Sequence, residues 1–200
     1  MKQNYQKMLE ETIAKNQREE RVPSLLLHSC CAPCSSYCLE YLSQYFKITV
    51  FYYNPNIYPE EEYTKRVAEQ QHFIERLPAK YPISFVEGTY DKESFYEMAR
   101  GLEDVKEGGE RCFRCYRLRL EKTAELAKKN NFDYFCTTLS ISPLKNSQKI
   151  NEIGFELEKE LDVKWLPSDF KKKEGYKRSI ELSHEYNLYR QNYCGCVYSR

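Results

Sequence analysis

The sequence has no apolar run approaching the ~18 residues that a membrane-spanning helix needs. Its N-terminal stretch, MKQNYQKMLEETIAKNQREER, is polar and lacks the apolar core of a secretory signal. Glycine is scarce, at seven residues, and none of them belongs to the GxxxxGK(S/T) loop that cradles phosphates. We therefore expect a cytoplasmic protein that does not bind a nucleotide through a phosphate loop of this kind.

Neither sign of charge is in excess, because 31 Lys and Arg residues face 30 Asp and Glu residues and the net charge is +1. This balance neither supports nor excludes a nucleic-acid partner, since basic residues can still cluster. Two clusters do occur, RCFRCYRLRLEK at 111–122 and KKKEGYKR at 171–178. With 41% hydrophobic and 30% charged residues, the composition is that of a globular protein.

Apolar, β-branched stretches alternate with amphipathic ones along the chain. They predict strands at 24–29, 47–54, 83–88 and 133–140, and helices at 34–45, 60–77, 91–100, 113–130, 146–161 and 174–188. Such alternation is typical of an α/β fold with a mainly parallel sheet and helices on both faces. We also expect a polar N-terminal helical arm over 1–22 and a single α/β catalytic domain over 23–200, which ends in a cysteine-bearing segment.

The carboxyl ends of parallel strands lie at one edge of a sheet, where ligands bind. This rule places three unusual loops, HSCCAPCSS, YNPNIYP and TTLSISPLKN, around one pocket. Among the nearby side chains, His28 lies inside an apolar strand and is expected to be a hydrogen-bonded core histidine.

Cysteine, in contrast, is plentiful, with nine residues. Clustered cysteines in a cytoplasmic protein indicate metal or redox chemistry more often than structural disulfides. Cys136 is expected in the core, since it lies within a predicted strand. Cys38 follows Cys34 by one helical turn and could share its face. The remaining cysteines form three groups: Cys30, Cys31 and Cys34; Cys112 and Cys115; Cys194 and Cys196.

The Cys112-x-x-Cys115 spacing brings two thiolates together on one helical turn, where they can bind a metal or a cluster. Cys30 and Cys31, in the predicted edge pocket, could complete a set of four ligands. Adjacent cysteines point in divergent directions, which favours a wide iron–sulfur cluster over a single tetrahedral zinc ion. The spacing alone leaves both metals open.

The Cys194-Gly-Cys196 pair has a different character. A disulfide across one residue closes a small strained ring, and strained, exposed disulfides tend to be catalytic or regulatory. Gly195 supplies the backbone freedom that such a ring needs. Two unrelated thiols in a tail, or two further metal ligands, are the alternatives.

Five motifs, in order from about residue 24 to 199, together resemble the QueH-type epoxyqueuosine reductases: HSCCAPCSS, YNPNIYPEEEY, RCFRCYRLRL, TTLSISPLKNSQKI and QNYCGCVYS. The resemblance implies a fold related to the adenine nucleotide α-hydrolase (HUP-like) group. It implies reduction of epoxyqueuosine to queuosine at the wobble position of tRNA, the last step of queuosine biosynthesis. It also implies a 4Fe-4S cluster and no cobalamin. We expect a ferredoxin- or flavodoxin-like electron donor.

By this resemblance the cluster ligands are Cys30, Cys31, Cys112 and Cys115, and the redox-active pair is Cys194 and Cys196. The sequence departs from the family at Cys34, where some members have an aspartate. Cys34 could therefore be a ligand of a possible second iron. In that case Cys194 or Cys196 could bind this metal instead of forming a disulfide.

Three other functions stay open. One is a zinc-stapled module that holds tRNA without reacting with it. Another is a tRNA-thiolating enzyme of the ATP pyrophosphatase group, although HSCCAPCSS stands where that group has a Ser-Gly-Gly-x-Asp-Ser loop. The third is a thioredoxin-like dithiol oxidoreductase. For tRNA contact, rings and cations near the edge loops are candidates, since splayed bases stack on such groups; they are Tyr53, Tyr58, Arg111, Arg114, Lys145 and Lys171–Lys173.

Overall fold

The fold is known from a computed structural model that describes residues 3–199. Within this range one sheet contains β1 (Ser24–His28), β2 (Lys47–Tyr52), β3 (Ser84–Glu87) and β4 (Tyr134–Thr137). The strand order is β3-β2-β1-β4, and each pair of neighbours is parallel. The predicted α/β fold with a mainly parallel sheet is therefore confirmed.

Helices surround the sheet, and in residues 3–199 they are α1 (Tyr5–Arg18), α2 (Ala32–Leu42), α3 (Glu60–Arg76), α4 (Lys92–Ala99), α5 (Glu110–Lys129), α6 (Ser147–Leu161) and α7 (Gly175–Glu185). Three of these helices have an N-cap residue whose side chain accepts a hydrogen bond from a backbone N–H of the first turn. These residues are Asn4, Asp91 and Asn146. Helix α2 packs on α7, and α5 packs on α6. None of these helices has both the length and the apolarity that crossing a bilayer requires.

The fourth strand is shorter than predicted, since it ends at Thr137 and not at residue 140. The Thr137 hydroxyl accepts the N–H of Leu139 and thereby caps a 3-10 turn over Thr138–Ile141. This turn redirects the chain at the carboxyl edge of the sheet. Cys136, as predicted, is a core residue with no exposed surface.

The central strands are buried on both faces, as in parallel sheets that helices cover. In β1 every residue from Leu25 to His28 is buried, and in β4 Phe135 and Cys136 are fully buried. At these central strands a ligand can therefore be reached only through the loops at the strand ends, while the edge strand β3 is largely exposed. Those loops carry the unusual residues of the sequence.

The predicted N-terminal helix is present as α1, and it packs on the same core as the sheet. Leu9 and Ile13 belong to the main hydrophobic cluster, and Glu10 pairs with Lys173. The division of the chain at residue 22 stays a prediction. Residues 1, 2 and 200, which the two predicted segments include, lie outside the described residues.

The packing of α1 gives a stability prediction. Leu9→Ala should lower the free energy of unfolding by about 2–5 kcal/mol, because Leu9 is 0% exposed and its removal leaves a cavity. Urea denaturation followed by circular dichroism measures the change. Gln17→Ala, at an exposed site on the same helix, is the control and should alter stability by less than about 0.5 kcal/mol. Equal stability of Leu9→Ala and the parent protein would show that α1 is an independent arm.

Candidate functional site

The three edge loops meet through a buried polar network at the ends of β1, β2 and β4. The Asn54 amide donates to the Ser29 carbonyl at 2.8 Å, and His28 Nδ1 lies 2.8 Å from the Thr137 hydroxyl. His28 Nε2 lies 3.1 Å from the Tyr53 carbonyl. Burial, followed by the charge of Arg119, lowers the pKa of His28 to about 4. His28 is thus a neutral, hydrogen-bonded core histidine, as predicted.

The first thiol group lies in the turn between β1 and α2. The sulfur atoms of Cys30 and Cys31 are 3.9 Å apart, and those of Cys30, Cys31 and Cys34 all lie within 4.8 Å of one another. Hydrogen bonds from Cys31 and Cys34 lower the pKa of Cys30 well below its usual value. A hydrogen bond to Cys30 raises the pKa of Cys31. A hydrogen bond to Cys30 also raises the pKa of Cys34, to about 12. The group therefore carries its negative charge at Cys30.

The second thiol group lies where α5 meets the C-terminal segment. Cys112 and Cys115 line a small cavity of about 20 Å³ together with Cys194 and Cys196. The hydrogen bond from the Cys196 thiol lowers the pKa of Cys194 to about 5, with support from the Ser199 hydroxyl. The same bond raises the pKa of Cys196. All four are free thiols here, and Cys194 is the more acidic of the predicted redox pair.

The two thiol groups border adjoining cavities. The larger cavity, of about 310 Å³, is lined by Cys30, Cys31 and Cys34. Four residues line both cavities, namely Glu107, Arg119, Lys145 and Cys194. The four cysteines predicted as cluster ligands are thus divided between neighbouring cavities. Cys34 lines the larger cavity, together with Cys30 and Cys31. Which thiols share one centre stays a prediction.

Two cations lie between the thiol groups. Burial opposes the charges of Arg119 and Lys145, but the neighbouring thiolates raise the pKa of each. Cys115, Cys30 and Cys194 act on Arg119, while Cys30, Cys34 and Cys194 act on Lys145. Both cations therefore stay protonated and stabilise thiolates in the two cavities.

Residues 186–199, named here the C-terminal strap, reach this site because other parts of the chain hold their backbone. The Gly195 carbonyl accepts the Tyr58 N–H at 2.8 Å, and the Cys194 carbonyl accepts Arg66 Nη1 at 3.2 Å. The Tyr193 hydroxyl donates to the Tyr58 carbonyl at 2.9 Å. The strap is thus fixed on the loop between β2 and α3, with both of its thiols at the smaller cavity.

Gly195 suits this docking in two ways. Its φ of +104° is a left-handed conformation, and an added Cβ would lie 2.9 Å from Ile57 Cγ1. Gly195→Ala should undock the strap and lower turnover in the expected reductase reaction by about tenfold or more, because strain of this kind costs about 1–3 kcal/mol. Steady-state kinetics measures turnover, and the alkylation rate of Cys194 measures undocking.

Gly101→Ala is the matched control for Gly195→Ala. Gly101 also has a positive φ, of +78°, but an added Cβ would meet none of the described atoms within 4 Å. It should lose stability and keep its activity. If the two variants behave alike, backbone strain and not strap docking determines the effect.

The candidate tRNA contacts divide into buried and accessible residues. Arg111 is buried and donates to the carbonyls of Leu102 and Glu103, so it holds the loop before α5. Tyr53 is also buried, whereas Tyr58 is 44% exposed. Chain packing covers Arg111 and Tyr53, and their role as tRNA contacts stays a prediction.

The remaining cations on that list have protein partners nearby. Arg114 pairs with Glu110 on the surface of α5. Lys171 pairs with Asp169, and Lys173 pairs with Glu10. Two of the predicted cations line the cavities: Arg111 borders the smaller one, and Lys145, in the loop after β4, borders both.

Sequence reasoning missed two buried arginines of the site. Arg119 had a usable signal, since it follows Cys115 by four residues and so lies on the same face of a helix. Arg66 had none, because its position in α3 resembles that of an ordinary surface cation. It is nevertheless 1% exposed and lines the larger cavity.

Together, the parallel sheet and the thiols from three separate segments define an α/β protein with a thiol-based site for metal or redox chemistry. The sequence profile described as "Epoxyqueuosine reductase QueH" matches residues 25–200. The chain belongs to the epoxyqueuosine reductase QueH family, which confirms the resemblance in its motifs.

Individual relatives agree with this assignment. The chain is 46% identical over 198 residues to "Epoxyqueuosine reductase QueH" of Streptococcus pyogenes serotype M1, an alignment covering 98% of this chain and 78% of that protein. It is 45% identical over 200 residues to the protein of the same name from Staphylococcus epidermidis, with 98% and 84% covered. For the Thermotoga maritima protein of that name, identity is 36% over 182 residues, with 88% and 90% covered.

Proposed function

We propose that this protein is an epoxyqueuosine reductase that forms queuosine at the wobble position of tRNA, in the last step of queuosine biosynthesis. Family membership supports the reaction. The observation that carries the proposal is the convergence of seven thiols on two adjoining cavities, one of which has the size of a small-molecule site.

The reaction requires two electrons and two protons. The epoxide loses its oxygen as water, and a carbon–carbon double bond takes its place. Cys194 and Cys196 can supply this pair, because joining their sulfur atoms in a disulfide releases two electrons and two protons. The two residues are already in contact, because the Cys196 backbone N–H donates to the Cys194 sulfur at 3.4 Å. A ferredoxin- or flavodoxin-like donor then reduces the disulfide back to the dithiol.

The donor set of the two cavities fits an iron–sulfur centre. The sulfur atoms of Cys30 and Cys31 are 3.9 Å apart, and Cys112 and Cys115 line the adjoining cavity, so soft ligands cluster there. The buried charges of Arg119 and Lys145 offset the negative charge of several thiolates. We assign a 4Fe-4S cluster to Cys30, Cys31, Cys112 and Cys115, with no need for cobalamin. When bound, such a cluster passes electrons one at a time between the donor and the dithiol.

Cys34 is assigned to a possible second iron, because its sulfur lies within 4.8 Å of those of Cys30 and Cys31. Cys34→Ser should remove about one iron per chain and leave the cluster absorbance near ~400 nm unchanged. Iron assay and absorbance of anaerobically reconstituted protein measure both. Cys38→Ser, one helical turn further along α2, is the control and should keep all of the iron. Loss of the absorbance in Cys34→Ser would make Cys34 a cluster ligand.

Mass spectrometry tests the activity directly. Anaerobically reconstituted protein, given a reductant and tRNA that carries epoxyqueuosine, should yield a nucleoside lighter by one oxygen. The rival functions predict other results. A zinc-stapled binding module would be colourless and leave the nucleoside unchanged. A thiolating enzyme would need ATP and add sulfur, and a thioredoxin-like protein would reduce protein disulfides without a metal.

A further inference from the structure

One wall of the larger cavity belongs to the C-terminal strap, from Arg190 to Cys194. Neighbouring residues hold this wall in place, since Arg190 Nη1 donates to the Ser183 hydroxyl at 3.1 Å and the Tyr193 hydroxyl donates to the Tyr58 carbonyl at 2.9 Å. The side chain between these anchors, Gln191, is thus attached to a fixed backbone.

Gln191 has a hydrogen-bond acceptor that the protein leaves unused. Its Oε1 is buried and has no hydrogen-bond partner among residues 3–199. A buried acceptor in this condition is energetically unfavourable. Gln191 is one of the residues that line the cavity, and a turn of its side chain toward the cavity presents this acceptor to a molecule bound there.

Arg66 has the complementary feature, an unused donor. Its Nε donates to Glu62 at 2.6 Å and its Nη1 donates to the Cys194 carbonyl at 3.2 Å. Its Nη2 is buried and lacks a hydrogen-bond partner within the described part of the chain. Arg66 is 1% exposed and lines the same cavity as Gln191. Two residues that line the cavity therefore each carry an unused polar atom, a donor on Arg66 and an acceptor on Gln191.

The base of the proposed substrate is guanine-like and presents the matching pair. Its O6 is an acceptor and its neighbouring N1–H is a donor, whereas adenine has a donor at C6 and an acceptor at N1. We propose that Gln191 Oε1 accepts the N1–H and that Arg66 Nη2 donates to O6 of the flipped wobble base. This inference rests on the proposed function and assigns its base-recognition residues.

Base recognition of this kind also positions the reaction. Arg66 holds the Cys194 carbonyl, and Gln191 precedes Cys194 by three residues. A base that contacts both side chains is therefore placed relative to the thiol of Cys194. An adenine in the same place would leave both protein groups unsatisfied.

Binding of two tRNA transcripts that differ only in having guanine or adenine at position 34 tests the proposal. The probe protein is the full chain, reconstituted anaerobically, and fluorescence anisotropy gives the dissociation constants. We expect a preference of about tenfold for the guanine transcript, since one such base contact discriminates by about 1–3 kcal/mol. Gln191→Leu should abolish this preference, and Gln191→Glu, which keeps an acceptor, should retain it.

Gln148→Leu is the matched control, because Gln148 is exposed on α6 and bonds to Glu152. It should keep the preference of the parent protein. The proposal is overturned if Gln191→Leu still prefers guanine, or if the parent protein does not discriminate. It is also overturned if Gln191→Leu loses affinity only for tRNA carrying queuosine, because Gln191 would then contact a part of the modified base that guanine lacks.

Failure of this base-recognition proposal can be distinguished from failure of the proposed reductase function. A parent protein that removes the epoxide oxygen while Gln191→Leu keeps its guanine preference is still a reductase, with a different base-recognition residue. A parent protein that prefers guanine but leaves epoxyqueuosine unchanged binds the base without the proposed reaction.

Discussion

Cys112→Ser should remove the proposed iron–sulfur cluster and reduce turnover below detection, by more than about 100-fold. Cys112 begins the CxxC pair on α5 and lines the smaller cavity. A serine hydroxyl does not ionise near neutral pH and is a poor ligand for iron, so the variant loses one of four proposed anchors. Iron and sulfide content, absorbance near ~400 nm and loss of one oxygen from the nucleoside measure the effects.

The control for Cys112→Ser is Cys136→Ser, which changes a cysteine outside both cavities. Cys136 is fully buried, and its sulfur lies 3.6 Å from the Ser168 hydroxyl, so a serine there can hydrogen-bond. This variant should keep its iron and its activity. Retention of both properties by Cys112→Ser would exclude α5 from the centre, and the metal would then belong to Cys30, Cys31 and Cys34.

Cys196→Ser should keep the cluster absorbance but lose turnover by more than about 100-fold. We expect turnover to be lost because the single thiol of Cys194 cannot form a disulfide within the chain and so cannot supply two electrons. The variant should also raise the pKa of Cys194, since the hydrogen bond from Cys196 is the largest cause of its lowered value. Single-turnover assays with pre-reduced protein measure the first effect, and the pH dependence of Cys194 alkylation measures the second.

Two results would contradict this role for Cys196. If the Cys196→Ser protein is bleached, Cys196 is a metal ligand and the division of the thiols must be redrawn. If pre-reduced Cys196→Ser still converts one substrate per chain, the dithiol only transfers electrons from the external donor. The control is Ser199→Ala, which removes a weaker hydrogen bond to Cys194 and should preserve turnover.

Much of the fold could be predicted because its signals are local. Helix α3 was predicted at 60–77 and spans Glu60–Arg76, since its apolar residues recur at helical spacing and acids occupy its first turn. Asp91 caps α4 as expected, because an Asx cap acts within three residues. The convergence of three edge loops followed from the parallel sheet, in which all strand ends of one kind meet.

Other features could not be predicted because they depend on contacts between distant residues. The strap has no periodicity, and it is held by Arg66 and Tyr58, more than a hundred residues earlier in the chain. The position of Cys194 and Cys196 beside Cys112 and Cys115 depends on the docking of this strap. The free atoms of Gln191 and Arg66 become visible only when burial and partners are known.

The sequence by itself determined the α/β class, the family and the inventory of clustered thiols, because each is encoded in local pattern or in motif order. The tertiary structure alone decided which thiols are neighbours, which arginines are buried beside them and which polar atoms remain unused. These properties depend on distances and on the exclusion of water between segments far apart in the chain, and local spacing does not fix either quantity.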